Sequence, residues 1–231
     1  MSEELKREAG FAAVDRYVRD GSCIGLGTGT TARWAIARVG ERIAAGERIA
    51  AIGTSAQTDA LCREAGIPLL RLGERELDVA IDGADEVAAD LALTKGGGGA
   101  LFREKAVALV ARRFVVTVTP EKLVERLGAF PTPVEVVPFS VHYVAERIER
   151  DLGARVVLRG GDAAYVTDNA NHILDCRFGS IADPAALDAA LRAVHGVVAT
   201  GLFVGLTSVV VVARPTGIEE LLPVAGGARR G

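Results

Sequence analysis

The sequence predicts a doubly wound α/β fold on an open, mostly parallel sheet, with a smaller α+β domain inserted into it. Three observations lead there. Short apolar runs alternate with helix-periodic segments from residue 3 to residue 118. Several of those runs end directly in glycine-rich or polar turns. Beyond residue 130 the order of strands and helices changes. Alternating strands and helices imply parallel pairing, and strands that are apolar throughout imply a sheet covered on both faces.

Residues 3–19 carry Leu5, Phe11, Ala12, Val14 and Val18 among charges, a spacing that fits an amphipathic helix. Cys23-Ile24-Gly25-Leu26 reads as the first strand. It ends at Gly27-Thr28-Gly29-Thr30-Thr31, and a helical pattern follows through Trp34, Ile36, Ala37 and Ile43. Residues 48–53 read as a strand, Thr54-Ser55 as a cap for a helix over 57–65, and Gly66 as its stop. Residues 67–72 read as a short strand, and 77–81 as another that runs into Asp82-Gly83-Ala84-Asp85-Glu86. Lys95-Gly96-Gly97-Gly98-Gly99 precedes a helix over 100–112. The strand over 114–118 is almost wholly β-branched. This part is Rossmann-like.

After Phe130-Pro131-Thr132-Pro133, residues 134–137 read as a strand and 141–152 as a helix. Strands over 155–158 and 172–178 flank a turn-rich stretch. A helix over 184–194 has Asp183 as N-cap and Pro184 at its first position. Residues 197–204 close the set. The order β-α-β-β-α-β is ferredoxin-like. Residues 208–213 form a last strand that returns to the large sheet. The expected domains are 1–130 with 206–231, and 131–205. Residues 225–231 lack an apolar pattern and are expected to fray.

The 231 residues suit one large domain with one small one. A formal net charge of −3 argues against a general polyanion binder, so no nucleic-acid partner is expected. A small phosphate ester needs only a local positive site. Cys23, Cys62 and Cys176 are scattered and odd in number, which gives neither a disulfide framework nor a zinc site. His142, His172 and His195 are isolated. The charged first residues contain no signal-peptide core, and no apolar stretch reaches membrane-span length. A cytoplasmic protein without membrane contact is expected.

Four segments carry chemistry. In Gly27-Thr28-Gly29-Thr30-Thr31, glycines admit close backbone approach, and the following helix offers N–H groups to an anion. A tight turn with a capping threonine would look the same. Asp82, Asp85 and Glu86 follow an apolar strand, where open parallel sheets bind ligands. An ordinary acidic loop or a carboxylate-only magnesium site also fits them. Lys95 precedes four glycines, which suggests a loop that wraps a ligand with bare backbone or a plain hinge. Glu104 lies early in the next helix. Lys122 follows the strand over 114–118, within reach of a phosphate or simply solvated. The residues ending the second strand, Ile52-Gly53-Thr54-Ser55, include no acid, which argues against a dinucleotide site.

Together these segments resemble type A ribose-5-phosphate isomerases. The resemblance rests on Gly25-Leu26-Gly27-Thr28-Gly29-Thr30-Thr31, Asp82-Gly83-Ala84-Asp85-Glu86, Lys95-Gly96-Gly97-Gly98 and Arg103-Glu104-Lys105. It continues through Phe130-Pro131-Thr132-Pro133-Val134-Glu135-Val136, Val166-Thr167-Asp168-Asn169 and Gly196-Val197-Val198, spanning residues 5–215. It implies interconversion of ribose 5-phosphate and ribulose 5-phosphate, with no metal, no organic cofactor and a homodimer or homotetramer. It places the catalytic base on Glu104, the site aspartates on Asp82 and Asp85, and the site lysine on Lys95. Substrate-binding positions fall on Thr28, Gly29, Thr30, Thr31, Gly83, Ala84, Gly96, Gly97, Gly98 and Lys122. Many relatives have Ala at the position of Gly99, and a polar residue where Phe102 stands. The alternative is a sugar-phosphate sensor that binds without catalysis. Such a protein need keep neither Glu104 nor Lys95, and would usually carry a DNA-binding segment that is not seen here.

Overall fold

The structure, a computed structural model, describes residues 3–223. Its elements in order are α1 (Glu3–Tyr17), β1 (Cys23–Leu26), α2 (Ala32–Ala44), β2 (Ala50–Gly53), α3 (Ala56–Glu64) and β3 (Val79–Asp82). Then come β4 (Glu86–Val87), β5 (Leu93–Thr94), α4 (Leu101–Val110), β6 (Phe114–Val118) and β7 (Thr132–Val136). The chain continues with α5 (Val141–Leu152), β8 (Arg155–Leu158), β9 (His172–Arg177), α6 (Pro184–Arg192) and β10 (Val197–Thr200). It closes with β11 (Leu202–Phe203), β12 (Val209–Arg214) and β13 (Gly217–Leu221).

Two compact units result. The first takes in the chain up to Ala84, Arg103–Lys122, and the chain from Gly205 onward. Its sheet has the order β13-β12-β6-β3-β1-β2. All neighbours pair parallel except β13, which runs antiparallel to β12. Alternation along β1 explains the two layers of helices. Ile24 and Leu26 share a core with Ala13 and Val14 of α1 and with Ala35, Ile36 and Val39 of α2. Gly25 faces the other way, where an added Cβ would run into Val107 of α4. Ile24, Leu26 and Ile81 are fully buried, and each such side chain stabilises the fold by about 1.5–3 kcal/mol relative to exposure. The doubly wound expectation holds.

The second unit is Asp85–Phe102 with Leu123–Val204. Its larger sheet has the order β10-β7-β9-β8, antiparallel throughout. Val134 and Val136 of β7 and Leu174 and Cys176 of β9 pack with Val144 and Ile148 of α5 and Leu191 of α6. Asp183 caps α6, its Oδ1 accepting the Ala186 N–H at 2.9 Å. This is the ferredoxin-like arrangement.

Several details differ from expectation. Residues 67–72 form only an isolated bridge between Leu69 and Ala51, because Pro68 has no N–H to extend a ladder. The run over 197–204 divides at Gly201 into β10 and β11. Gly201 donates to the Pro133 carbonyl at 2.7 Å and accepts from the Lys95 N–H at 2.8 Å, so the chain changes sheets there. Strands β4 and β5 pair with β11 in a small third sheet. Two-residue strands leave no periodicity to detect. That pairing groups 85–102 with the second unit, outside the 131–205 insert. Edge strand β13 was also unforeseen. Residues 225–231 lie outside the described residues. The three cysteines are buried and free. Among the described residues, no helix is long and apolar enough to cross a membrane.

Candidate active site

In the first unit the chain leaves β1 for β2 on one side and returns to β3 on the other, which makes a topological switch point. Ligands of open α/β sheets bind beyond the carboxyl ends of strands at such points. At those ends stand Gly27–Thr31 after β1, Thr54 and Ser55 after β2, Gly83 and Ala84 after β3, and Thr119–Lys122 after β6.

Gly27 donates its N–H to the Ile81 carbonyl at 2.9 Å. A Cβ there would overlap the Asp82 carboxylate, so only glycine lets the loop backbone lie against that acid. Asp82 is 3% exposed, and its Oδ1 accepts the Gly83 N–H at 2.7 Å. Gly83 and Ala84 are half-buried.

The Thr28 hydroxyl is engaged by other hydroxyls of the protein. It lies 2.9 Å from that of Thr54, 2.8 Å from that of Ser55 and 3.1 Å from that of Thr58. Thr58 donates in turn to the Gly27 carbonyl at 2.9 Å, and Ser55 caps α3 by accepting the Thr58 N–H at 3.0 Å. Four hydroxyls thus fasten the glycine-threonine loop to the start of α3. The sequence marked Thr54-Ser55 as a cap; the anchoring role of Thr58 went unnoticed. Gly29 and Thr30 are exposed, and Thr31 is half-buried at the N-terminus of α2 with no side-chain cap bond. These three form the presented part of the loop.

Glu104 is the fourth residue of α4 and 4% exposed. The partial positive charge of a helix N-terminus favours a carboxylate in that turn. Lys122 is half-buried and closes a 3-10 turn, its N–H donating to the Thr119 carbonyl at 3.0 Å.

In the second unit, Asp85 is half-buried and its Oδ2 accepts the Gly97 N–H at 2.8 Å. Lys95 is 3% exposed, and its ammonium sits 5.5 Å from the centre of the Phe203 ring, a cation–π contact. Gly96 is buried, while Gly97 and Gly98 are exposed. Gly99 has φ +84°, and a Cβ there would overlap the Tyr165 hydroxyl. The fourth glycine therefore makes room for this chain's own tyrosine. The turn closes with Gly99 N–H donating to the Gly96 carbonyl at 3.0 Å. These bonds hold the loop in one conformation, unlike a free hinge.

Glu86 serves a different purpose from its neighbours. Its Oε2 accepts from the Thr94 hydroxyl at 2.8 Å and the Gly128 N–H at 3.0 Å, and its Oε1 from the Phe130 N–H at 2.8 Å. This buried acid ties the 128–130 segment to β4. A magnesium site that needs Glu86 is disfavoured, since both its oxygens are engaged. Among the described residues, no group of three or more His, Cys, Asp and Glu could hold a metal. Burial pushes all three thiols up, Cys62 to about 12, so none is a poised nucleophile.

The first unit thus carries a buried carboxylate on a helix N-terminus, a second buried acid, a hydroxyl-rich loop and a lysine. The second carries a buried ammonium beside a structured glycine turn and an acid. Proton transfer with stabilisation of an oxyanion is the chemistry these groups support.

The family model described as ribose 5-phosphate isomerase A (phosphoriboisomerase A) matches residues 50–217. A ribose-5-phosphate isomerase A from Gloeobacter violaceus is 49% identical, covering 96% of this chain and 97% of its own. The structure of ribose 5-phosphate isomerase A from Methanocaldococcus jannaschii superposes with a TM-score of 0.91 at 38% identity, covering 96% of this chain and 100% of that one. A D-ribose-5-phosphate isomerase solved in complex with phospho-erythronic acid gives a TM-score of 0.91 at 36% identity, with the same coverage.

Proposed function

The chain belongs to the ribose 5-phosphate isomerase A family, and on that premise we propose that it interconverts ribose 5-phosphate and ribulose 5-phosphate, a step of the non-oxidative pentose phosphate pathway. The observation that carries this reading is the extent of the likeness. It runs over nearly the whole of both chains, and the matched residues 50–217 include Asp82, Asp85, Lys95, Glu104 and Lys122.

The isomerisation moves one proton between neighbouring carbons. We assign that proton to Glu104. Its carboxylate takes the proton from C2 of the open-chain aldose. The C–H electron pair becomes the C1=C2 bond, and the C1 carbonyl oxygen takes up negative charge. The O2–H proton passes to O1 within the enediolate, and the same carboxyl returns its proton to C1 as the C2 carbonyl forms. A carboxylate that acts as base and then as acid contributes roughly 10²–10⁴-fold. The Lys95 ammonium and the N–H groups of Gly96 and Gly98 are assigned to the developing enediolate charge, where fixed donors act most strongly, while the Gly97 N–H holds Asp85. Asp82 and Asp85 hold sugar hydroxyls, with backbone from Gly83 and Ala84. Gly29, Thr30 and Thr31, at the N-terminus of α2, take the phosphate with Lys122, and Thr28 keeps that loop in place. No metal or organic cofactor enters this scheme.

The test is conversion of ribose 5-phosphate to ribulose 5-phosphate by protein prepared with excess EDTA. Turnover unaffected by EDTA is expected. Turnover lost on chelation would overturn the metal-independent mechanism. Tight sugar-phosphate binding without turnover would support a sensor instead.

We further propose a cytoplasmic homodimer or homotetramer assembled through the inserted segment, 131–205. Phe139 is 99% exposed. It stands with Val137 and Tyr143 beside a cavity of about 450 Å³ lined also by Ser140, His195 and Gly196. A solvent-exposed aromatic next to an apolar recess suits burial against another copy. Light scattering at micromolar concentration should give the mass of two or four chains; the mass of one would contradict the assignment.

A further inference from the structure

Arg159 follows β8 directly, outside every motif read from the sequence. Its side chain is 17% exposed. One edge of the guanidinium is locked by Asp175 of β9. Nε donates to Asp175 Oδ2 at 2.9 Å and Nη2 to Asp175 Oδ1 at 2.5 Å. The remaining corner meets the tetraglycine turn. Nη1 donates to the Gly96 carbonyl at 2.9 Å and to the Gly97 carbonyl at 3.2 Å. The guanidinium carbon lies 5.9 Å from the centre of the Tyr165 ring, whose hydroxyl lies against Gly99. Across the turn, Asp85 accepts the Gly97 N–H. All of these residues belong to the second unit.

The consequence follows from the peptide group. The carbonyl of one residue and the N–H of the next form a single planar, resonant unit. A cation bonded to the Gly96 carbonyl therefore draws electron density from the Gly97 N–H. At the Gly97 carbonyl it does the same to the Gly98 N–H. Linked hydrogen bonds polarise one another, and charge-assisted ones are the strongest. Only arginine suits this position. Its planar fork grips a carboxylate with one edge and keeps further N–H groups for the carbonyls, whereas lysine is a compact point charge.

We infer that Arg159, locked by Asp175, is a positioning residue for the isomerisation: it sets the peptide planes of Gly96 and Gly97, strengthens the Gly97 N–H that holds Asp85, and makes the Gly98 N–H a stronger donor to the enediolate. The inference rests on the proposed role of that turn as an oxyanion cradle. It adds a residue that never touches substrate and acts only through the backbone it holds.

The experiment compares full-length wild type with Arg159→Met, Arg159→Lys and Asp175→Asn. It measures kcat, KM for ribose 5-phosphate and affinity for phospho-erythronic acid. The carboxylate of that acid is planar and anionic like an enediolate. Arg159→Met should lower kcat about tenfold, less than the roughly 10²–10³-fold cost of losing a direct oxyanion donor. KM should stay within about twofold, and affinity for the acid should fall by about the same factor as kcat, as expected when a transition-state interaction alone is lost. Arg159→Lys should not restore kcat. Asp175→Asn, which frees the guanidinium without removing it, should lie in between and serves if Arg159→Met does not fold. Circular dichroism at the assay temperature should match wild type. Unchanged kcat in the folded variants, recovery in Arg159→Lys, or a kcat loss without weaker binding of the acid would each overturn the inference. Absence of isomerase activity in the wild type would instead overturn the functional reading beneath it.

Discussion

Glu104→Gln is expected to lower kcat by about 10³-fold while leaving KM for ribose 5-phosphate within about threefold. Glutamine keeps the volume and the polar atoms of the side chain. It removes only the capacity to take a proton and give it back. The site is poorly placed for a substitute base, because Glu104 is 4% exposed and bulk water has little access to its position. The first turn of α4 favours an anion, so the neutral amide forgoes about 0.3–1 kcal/mol, too little to unfold the helix. A loss confined to kcat identifies a group used only in the chemical step. A loss confined to KM would make Glu104 a binding residue and leave the proton without a carrier. Steady-state kinetics with a direct assay of ribulose 5-phosphate separates the two.

Lys95→Met should lower kcat by about 10²-fold or more, the cost typical of a lost oxyanion-stabilising donor. Methionine fills much of the volume of the lysine stem, so packing against Phe203 should persist. Lys95 is held at both ends. Its N–H donates to Gly201, and its ammonium sits over the Phe203 ring. A cation so fixed has little to reorganise when negative charge develops nearby. Phe203→Leu removes the aromatic face while keeping an apolar side chain, and should give a smaller loss of the same kind. Wild-type kcat in Lys95→Met would remove the ammonium from the mechanism.

The large sheet was legible because its strands are buried on both faces and read as largely apolar runs, residues 209–213 above all. The inserted domain was legible through spacing. Val141, Val144 and Ile148 mark one face of α5, and Asp183-Pro184 announces α6. Strands β4 and β5 were hidden because each is two residues long and lies among residues read for their chemistry. Glu86 shows the same confusion from the other side. It reads as one more acid in a catalytic run, yet both oxygens serve backbone and hydroxyl donors, two of them more than forty residues away in sequence. Thr28 was named for its hydroxyl in a glycine loop, but the partners that engage it lie on a different strand-to-helix crossing. Arg159 was out of reach altogether, since the carbonyl it meets at Gly96 lies 63 residues away in sequence. Motifs displayed the groups to which the proposed chemistry is assigned. The bonds that orient those groups are long-range and leave no local pattern.

The account turns on a single proton and a single carboxylate. Ribose 5-phosphate incubated in deuterated buffer with EDTA and catalytic amounts of protein, followed by proton NMR, reports that step directly. Wild type should convert the sugar phosphate and wash deuterium into C1 of ribulose 5-phosphate and C2 of ribose 5-phosphate. Glu104→Gln should bind the substrate and leave both positions protonated over the same period. Exchange at the wild-type rate in Glu104→Gln would show that another group carries the proton and would contradict the mechanism.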